Sequence, residues 1–281
     1  MNPKHDLLND YEPFKNLKID DWTILNDIDQ RSLCQVCKKS RKYFCYTCYV
    51  PVNELRGRIP NVKVVIHSVC FYFQLPIKID IIKHCREIDG KSTAAHVALL
   101  APDDVNVYTY PCIPDYDHSE RVVLVYPGNG ATSLENLCNI FRILGAKIKH
   151  VGPCMCRETE PSPKKVHMAQ ELPISRAVFI DSTWNQSRGI YKDQRLRALP
   201  CVVLESRVSQ FWRHQKNSPR WYLATVEAVY QLLVELHTAT TKDEEYQGQY
   251  DNLLFLFHYM YSKIHDLYKH EDLQAYKRPL K

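Results

Sequence analysis

The sequence predicts an α/β protein built on a central sheet, and three observations lead there. Short apolar runs rich in β-branched residues at Ile77–Ile82, Val122–Tyr126, Ala177–Ile180 and Cys201–Leu204 read as buried strands. Between and after them, apolar residues recur at helical spacing over Ala94–Leu100, Ser133–Leu144 and Val226–Leu236. Strands come from both halves of the chain, so the sheet should join segments far apart in sequence.

Composition sets bounds on function. With 281 residues the chain holds one large domain or two modest ones, and 45% hydrophobic content allows a sizeable core. A net charge of +5 is mild, and suits an anionic partner where the excess is clustered. Met1–Asp6 lacks the apolar core of a signal peptide, and no apolar run reaches the length of a bilayer span. Eleven cysteines in a chain of this kind suggest metal ligands and buried thiols, not a disulfide framework. The expected home is the nucleus, with the equally reducing cytoplasm as the alternative.

Residues 1–30 read as a polar, acidic extension in which Leu25 and Ile28 hint at a short helix. Residues 31–58 hold Cys34-Gln35-Val36-Cys37 and, seven residues later, Cys45-Tyr46-Thr47-Cys48. Paired thiolates on two tight turns can close tetrahedrally around zinc, and a full set of four leaves no open position. Cys34, Cys37, Cys45 and Cys48 are therefore expected to form a compact structural zinc knuckle; the plainer alternative is four core cysteines. Lys38, Lys39, Arg41 and Lys42 beside Tyr43 and Phe44 suit RNA phosphates and unstacked bases, or simply a solvated face.

Residues 59–270 carry the main domain. Val62–Ile66 and Ile77–Ile82 read as strands, and His84 after them is a substrate contact or a histidine satisfied by backbone. Ser92 or Thr93 caps the helix that follows. Val105–Tyr110 alternates like a strand; Val122–Tyr126 ends at Pro127-Gly128, where backbone can approach a ligand or merely turn. Residues 146–172 show no period and read as an exposed loop, whose Cys154 and Cys156 are too few for a metal site. The strand Ala177–Ile180 delivers Asp181 to its carboxyl end, the edge where ligands sit in open α/β sheets. Ser182, Thr183 and Asn185 add hydrogen-bonding groups and Trp184 a flat ring, although Asp181 and Thr183 could equally cap the next helix. A basic helix with Arg188, Lys192, Arg195 and Arg197 is expected next, with Leu196 and Leu199 inward. Phe211–Lys216 reads as an aromatic and basic loop, Thr225 as a helix cap, and Glu227 as a carboxylate gaining from the helix dipole. A last helix over Asp251–Leu267 should bury Leu253, Leu254, Phe257, Met260, Ile264 and Leu267; residues 271–281 form a loose tail.

Asp181-Ser182-Thr183-Trp184 resembles the Asp-x-Thr-Trp signature of the DTW-domain family. The paired cysteines, His84 with Lys91-Ser92-Thr93, Tyr126-Pro127-Gly128, Arg213 with Gln215, and Leu223–Ala228 are similar to family segments in the same order. Tyr110–Pro114 and Gly248–Asn252 look like the eukaryotic members that act on tRNA uridine. Two departures stand out: Cys85 replaces a usual proline, and Val64–Gln74 looks like extra sequence, either a tolerated loop or hairpin or an intrusion into a core strand.

The resemblance implies a SPOUT-like sheet with flanking helices, its carboxy-terminal part threaded into a trefoil knot around S-adenosylmethionine. It implies transfer of the 3-amino-3-carboxypropyl group to N3 of a uridine in the tRNA D-loop, releasing methylthioadenosine. Asp181 would accept the imide proton, Thr183 would hold that carboxylate or the substrate, and Trp184 would pack beneath the site. Pro127, Gly128 and backbone near Thr225 and Glu227 would border the donor pocket, while Arg213 and Gln215 would hold the donor's carboxylate or a tRNA phosphate. Two alternatives follow from the same residues: a SPOUT-type RNA methyltransferase, with the methyl carbon presented instead, and a non-catalytic zinc-containing RNA-binding protein.

Overall fold

Two Cys-x-x-Cys turns open the fold. β1 (Ser32–Leu33) pairs with β2 (Ser40–Arg41), and β3 (Phe44–Cys45) with β4 (Val50–Pro51), each antiparallel. The computed structural model describes residues 12–60, 62, 64–65, 71–72, 75–117, 120–143, 172–205, 207–216, 218–241 and 245–279. The expected loop at 146–172 therefore lies outside the described residues, apart from Leu172, and so do Cys154 and Cys156. Among the described residues, no helix is long and apolar enough to cross a membrane.

The strand expected at Val62–Ile66 does not join the main sheet. β5 (Val64–Val65) pairs antiparallel with β6 (Phe71–Tyr72) as a separate two-stranded unit. The reason lies in β7 (Lys78–Lys83), already bonded on one side to β8 (Val105–Thr109) and on the other to the strand containing Asp181. No free edge remains beside β7, so the inserted segment pairs with itself.

Among the described residues, six strands make the central sheet: β7 and β8, then β9 (Val122–Val125), β10 (Thr132–Ser133), β11 (Arg176–Asp181) and β12 (Cys201–Val203). Their order across the sheet is β10-β12-β9-β11-β7-β8, and all five pairings are parallel. Side chains alternate across it with period two. Ile79, Ile81, Val123, Ala177 and Phe179 enter the larger core, and Ile82, Val122, Leu124 and Val178 the smaller. Both faces are thus buried, which is why these strands read as unbroken apolar runs.

Among the described residues, six α-helices accompany the sheet: α1 (Ala94–Leu100), α2 (Leu134–Ile143), α3 (Trp184–Tyr191), α4 (Gln194–Arg197), α5 (Thr225–Thr240) and α6 (Phe255–Leu267). α1, α5 and α6 build the larger core with buried Val97, Leu100, Val229, Leu233, Phe255 and Phe257. Ile190 of α3 and Leu196 of α4 close the smaller one. The single basic helix expected after Asp181 is two short helices, because the Asp193 carboxylate accepts from the Arg195 N–H and starts a new cap.

The described residues toward each end of the chain are packed. Phe14 stacks on His258 and meets Tyr261 edge-on, and Leu25 is fully buried. Leu267 is 73% exposed instead of buried, since the first turns of α6 and not its last face the core. The expected loose tail is docked: Arg278 donates to the Ala275 and Pro219 carbonyls, and the Arg220 N–H donates to the Pro279 carbonyl.

Candidate active-site cleft

Period-two alternation sends Asp181 to the same face as Ala177 and Phe179, toward the start of α5. The residue ends β11 opposite Lys83, at the carboxyl edge of the sheet. There it is 5% exposed and lines an open cleft of ≈ 760 Å³. Its carboxylate accepts hydrogen bonds from the Ser92 hydroxyl at 2.6 Å and the Thr225 hydroxyl at 2.5 Å. Burial pushes the Asp181 carboxyl above the usual carboxylate range, against the pull of those two hydroxyls and of the Lys83 charge.

Thr225 is therefore a holder of the carboxylate and not the expected cap; the α5 cap position belongs to Ala224. Ser92 accepts from the Ala94 N–H while donating to Asp181, so it joins the α1 turn to the acid. Thr183 does not touch the carboxylate. Exposed at the rim, it caps α3 through its hydroxyl and N–H to the Gln186 side chain. The capping alternative thus describes Thr183, while Asp181 looks into the cleft.

Three aromatic rings form one wall. Trp184 lies 3.9 Å from Tyr222 between ring centroids at an interplanar angle of 32°, and 6.3 Å from Tyr126 at 26°. Pro127 also lines the cleft. Gly128 serves packing instead: a Cβ there would sit 2.4 Å from the Tyr191 hydroxyl and 2.7 Å from the Cys201 sulfur. Its missing side chain admits two neighbours, not a ligand.

Arg213 and Gln215 also line the cleft. Arg213 is half-buried, and among the described residues it has neither a hydrogen-bond acceptor nor an ion-pair partner. Burial lowers its pKa, the mark of a desolvated cation. Nearby His96 is buried and pushed down to about 4, first by burial and then by Arg213, so it stays neutral at physiological pH. An uncompensated guanidinium facing a cavity suits a carboxylate or phosphate ligand.

Glu227 does not line the cleft. It is buried behind the loop, accepting from the Ser209 hydroxyl and from the Gln210 and Ala224 N–H groups. Its role is to fix the Ser209–Phe211 turn against the start of α5, so the expected place beside a donor is corrected. Glu87, by contrast, lines the cleft. Burial and the nearby Asp181 charge raise its pKa. No local pattern marks it, since Glu87 belongs to an irregular turn beyond β7. His84 is satisfied locally, its Nδ1 accepting from the Arg86 N–H.

At the amino-terminal end, the Sγ atoms of Cys34, Cys37, Cys45 and Cys48 all lie within 4.8 Å of one another. Each Cys-x-x-Cys turn closes alike: Lys38 N–H donates to the Cys34 carbonyl and Tyr49 N–H to the Cys45 carbonyl, with both donors at positive φ. Burial raises the Cys45 thiol, but backbone N–H groups, Arg41 and Cys37 outweigh it and bring it to about 6. Burial and the neighbouring thiols push Cys48 up to about 12. Four sulfurs this close cannot all ionise without a cation among them, and tetrahedral zinc at about 2.3 Å fits their separation. The aromatic and basic residues of the knuckle are mostly engaged elsewhere. Arg41 is buried over the Tyr46 ring, Tyr43 bonds Tyr259, and Phe44 meets His96, which leaves Lys38 and Lys39 exposed.

A family model described as the DTW domain matches residues 42–265. The chain is 43% identical over 269 residues to tRNA-uridine aminocarboxypropyltransferase 1 of Rattus norvegicus, covering 90% of this chain and 84% of that protein. The same-named proteins of Mus musculus and Homo sapiens are 44% identical over 269 residues and 41% over 268, with the same coverage. No solved structure matches.

Proposed function

This chain belongs to the DTW-domain family, and from that premise we propose that it is a tRNA-uridine aminocarboxypropyltransferase. It transfers the 3-amino-3-carboxypropyl group of S-adenosylmethionine to N3 of a D-loop uridine. The observation that carries the reading is one cleft holding both a buried strand-end carboxylate, Asp181, and a half-buried guanidinium without a partner among the described residues, Arg213. The first suits a proton acceptor and the second the carboxylate of an amino-acid donor.

Asp181 orients the uridine imide and takes its N3 proton. The hydroxyls of Ser92 and Thr225 aim the carboxylate, and burial strengthens it as a base. N3 then bonds to the methionine-side carbon next to sulfur as the carbon–sulfur bond breaks and methylthioadenosine leaves. The sulfonium activates every carbon attached to it, so the choice of carbon is one of placement. Arg213, gripping the amino-acid carboxylate, sets that placement, and near-attack positioning supplies much of the rate. Trp184 and Tyr222 offer a face on which a flipped base stacks.

Cys34, Cys37, Cys45 and Cys48 hold a structural zinc that fixes the knuckle against the main core. The sheet order supports a SPOUT-type knot: β12 lies between β9 and β10, which only residues 126–131 connect. The later chain must pass that short link to reach its lane. The deciding experiment incubates the protein with tRNA and S-adenosylmethionine and identifies the small product. Methylthioadenosine is expected; S-adenosylhomocysteine would mean methylation, and neither product would leave an RNA-binding protein.

A further inference from the structure

Beside the cleft lies a second open cavity of ≈ 610 Å³, walled on one side by the carboxy-terminal tail folding back. The two share a wall, since His214, Lys216 and Ser218 line both. The lining adds Lys277 and Arg278, so it is basic, and no carboxylate occurs among its described residues. Lys216 and Lys277 are exposed, with no ion-pair partner among the described residues.

Arg278 makes this more than a charged surface. It is 6% exposed, its Nε donates to the Ala275 carbonyl and its Nη1 to the Pro219 carbonyl. Its Nη2 is buried without a hydrogen-bond partner. The two carbonyl bonds hold the guanidinium at the cavity wall, where a phosphate oxygen reaching the lining would neutralise its charge. The backbone bond from Arg220 N–H to the Pro279 carbonyl pins the tail, so the arrangement is built into the fold.

We propose that this cavity receives a backbone phosphate of the tRNA, from the nucleotides flanking the uridine held in the adjoining cleft. The proposal rests on the tRNA-modifying reading above. Charge selects a polyanion, and the shared wall means that a strand leaving the cleft runs directly over Lys216 into the basic cavity. The tail thereby becomes a positioning element, gripping the substrate outside the reacting base.

The test uses the full chain and measures tRNA affinity against potassium chloride concentration for wild type, Lys216→Gln, Lys277→Gln and the double variant. Both side chains are exposed, so neither substitution disturbs the core. Each variant is expected to weaken binding, and the double variant to lower the slope of log Kd on log salt by about one, as the loss of one neutralised phosphate requires. Lys15→Gln, on an exposed residue lining neither cavity, is the control. A wild-type slope in the double variant, or an equal drop in the control, would overturn the inference. Binding is read without turnover, so a protein that releases no methylthioadenosine yet shows the slope change fails the activity reading and keeps this one.

Discussion

Replacing Thr225 by Val removes one of the two hydroxyls that hold the Asp181 carboxylate while keeping the side chain's shape. A hydrogen bond to a charged group contributes roughly 1.5–3 kcal/mol. Its loss raises the Asp181 pKa further, adding to the upward push that burial already exerts. The acid acts as a base only when ionised, so activity falls as pH drops through that pKa. Thr225→Val should therefore move the acidic limb of the pH profile for kcat/KM, read by methylthioadenosine release, to higher pH. Thr225→Ser keeps the hydroxyl and should restore the limb. A Thr225→Val profile that overlays the wild type, or a Thr225→Ser shift of equal size, would refute the assignment of Asp181 as the base. Stability gives an independent reading. Because the folded pKa lies above the unfolded one, the native state binds the proton more tightly. Its stability is greatest below the unfolded value and declines as pH rises through the window up to the folded one. Thr225→Val should widen that window.

The remaining expectations concern residues with distinct partners. Arg213→Met should raise the urea midpoint, since it removes a desolvated cation with no described partner, yet weaken S-adenosylmethionine binding by about 10- to 100-fold in calorimetry. Glu227→Ala leaves the Ser209, Gln210 and Ala224 donors unpaired and should cost about 3 kcal/mol or more of unfolding free energy. The folded fraction of that variant should bind donor normally. Gly128→Ala should lose roughly 1–3 kcal/mol through overpacking against Tyr191, and Tyr191→Phe in the same chain should recover part of it. Elemental analysis should find one zinc per wild-type chain and none in Cys45→Ser, whose denaturation midpoint should also fall.

Much of the fold was legible because the parallel strands are buried on both faces and announce themselves as apolar runs. Lys78–Lys83, Val122–Val125, Arg176–Asp181 and Cys201–Val203 all fall where such runs occur. Errors arose where a residue's surroundings outweigh its own pattern. Val62–Ile66 has strand-forming residues but finds β7 already paired on both sides. Residues 277–279 look like a loose basic end, yet Arg278 is buried on carbonyls from elsewhere in the chain.

What the sequence by itself determined is the set of parts: the strand that ends in Asp181, the two Cys-x-x-Cys turns, and the amphipathic helices. Those follow from local periodicity and spacing, which do not depend on neighbours. Tertiary structure alone decided which groups meet. Ser92, Asp181 and Thr225 are separated by tens of residues and touch only because β11 and the start of α5 converge at one sheet edge. The same convergence made Thr183 a helix cap, put Glu227 behind the loop and left Arg213 facing the cleft. A side chain's type states what chemistry it can do, but its burial and partners select which chemistry it does, and those are properties of packing.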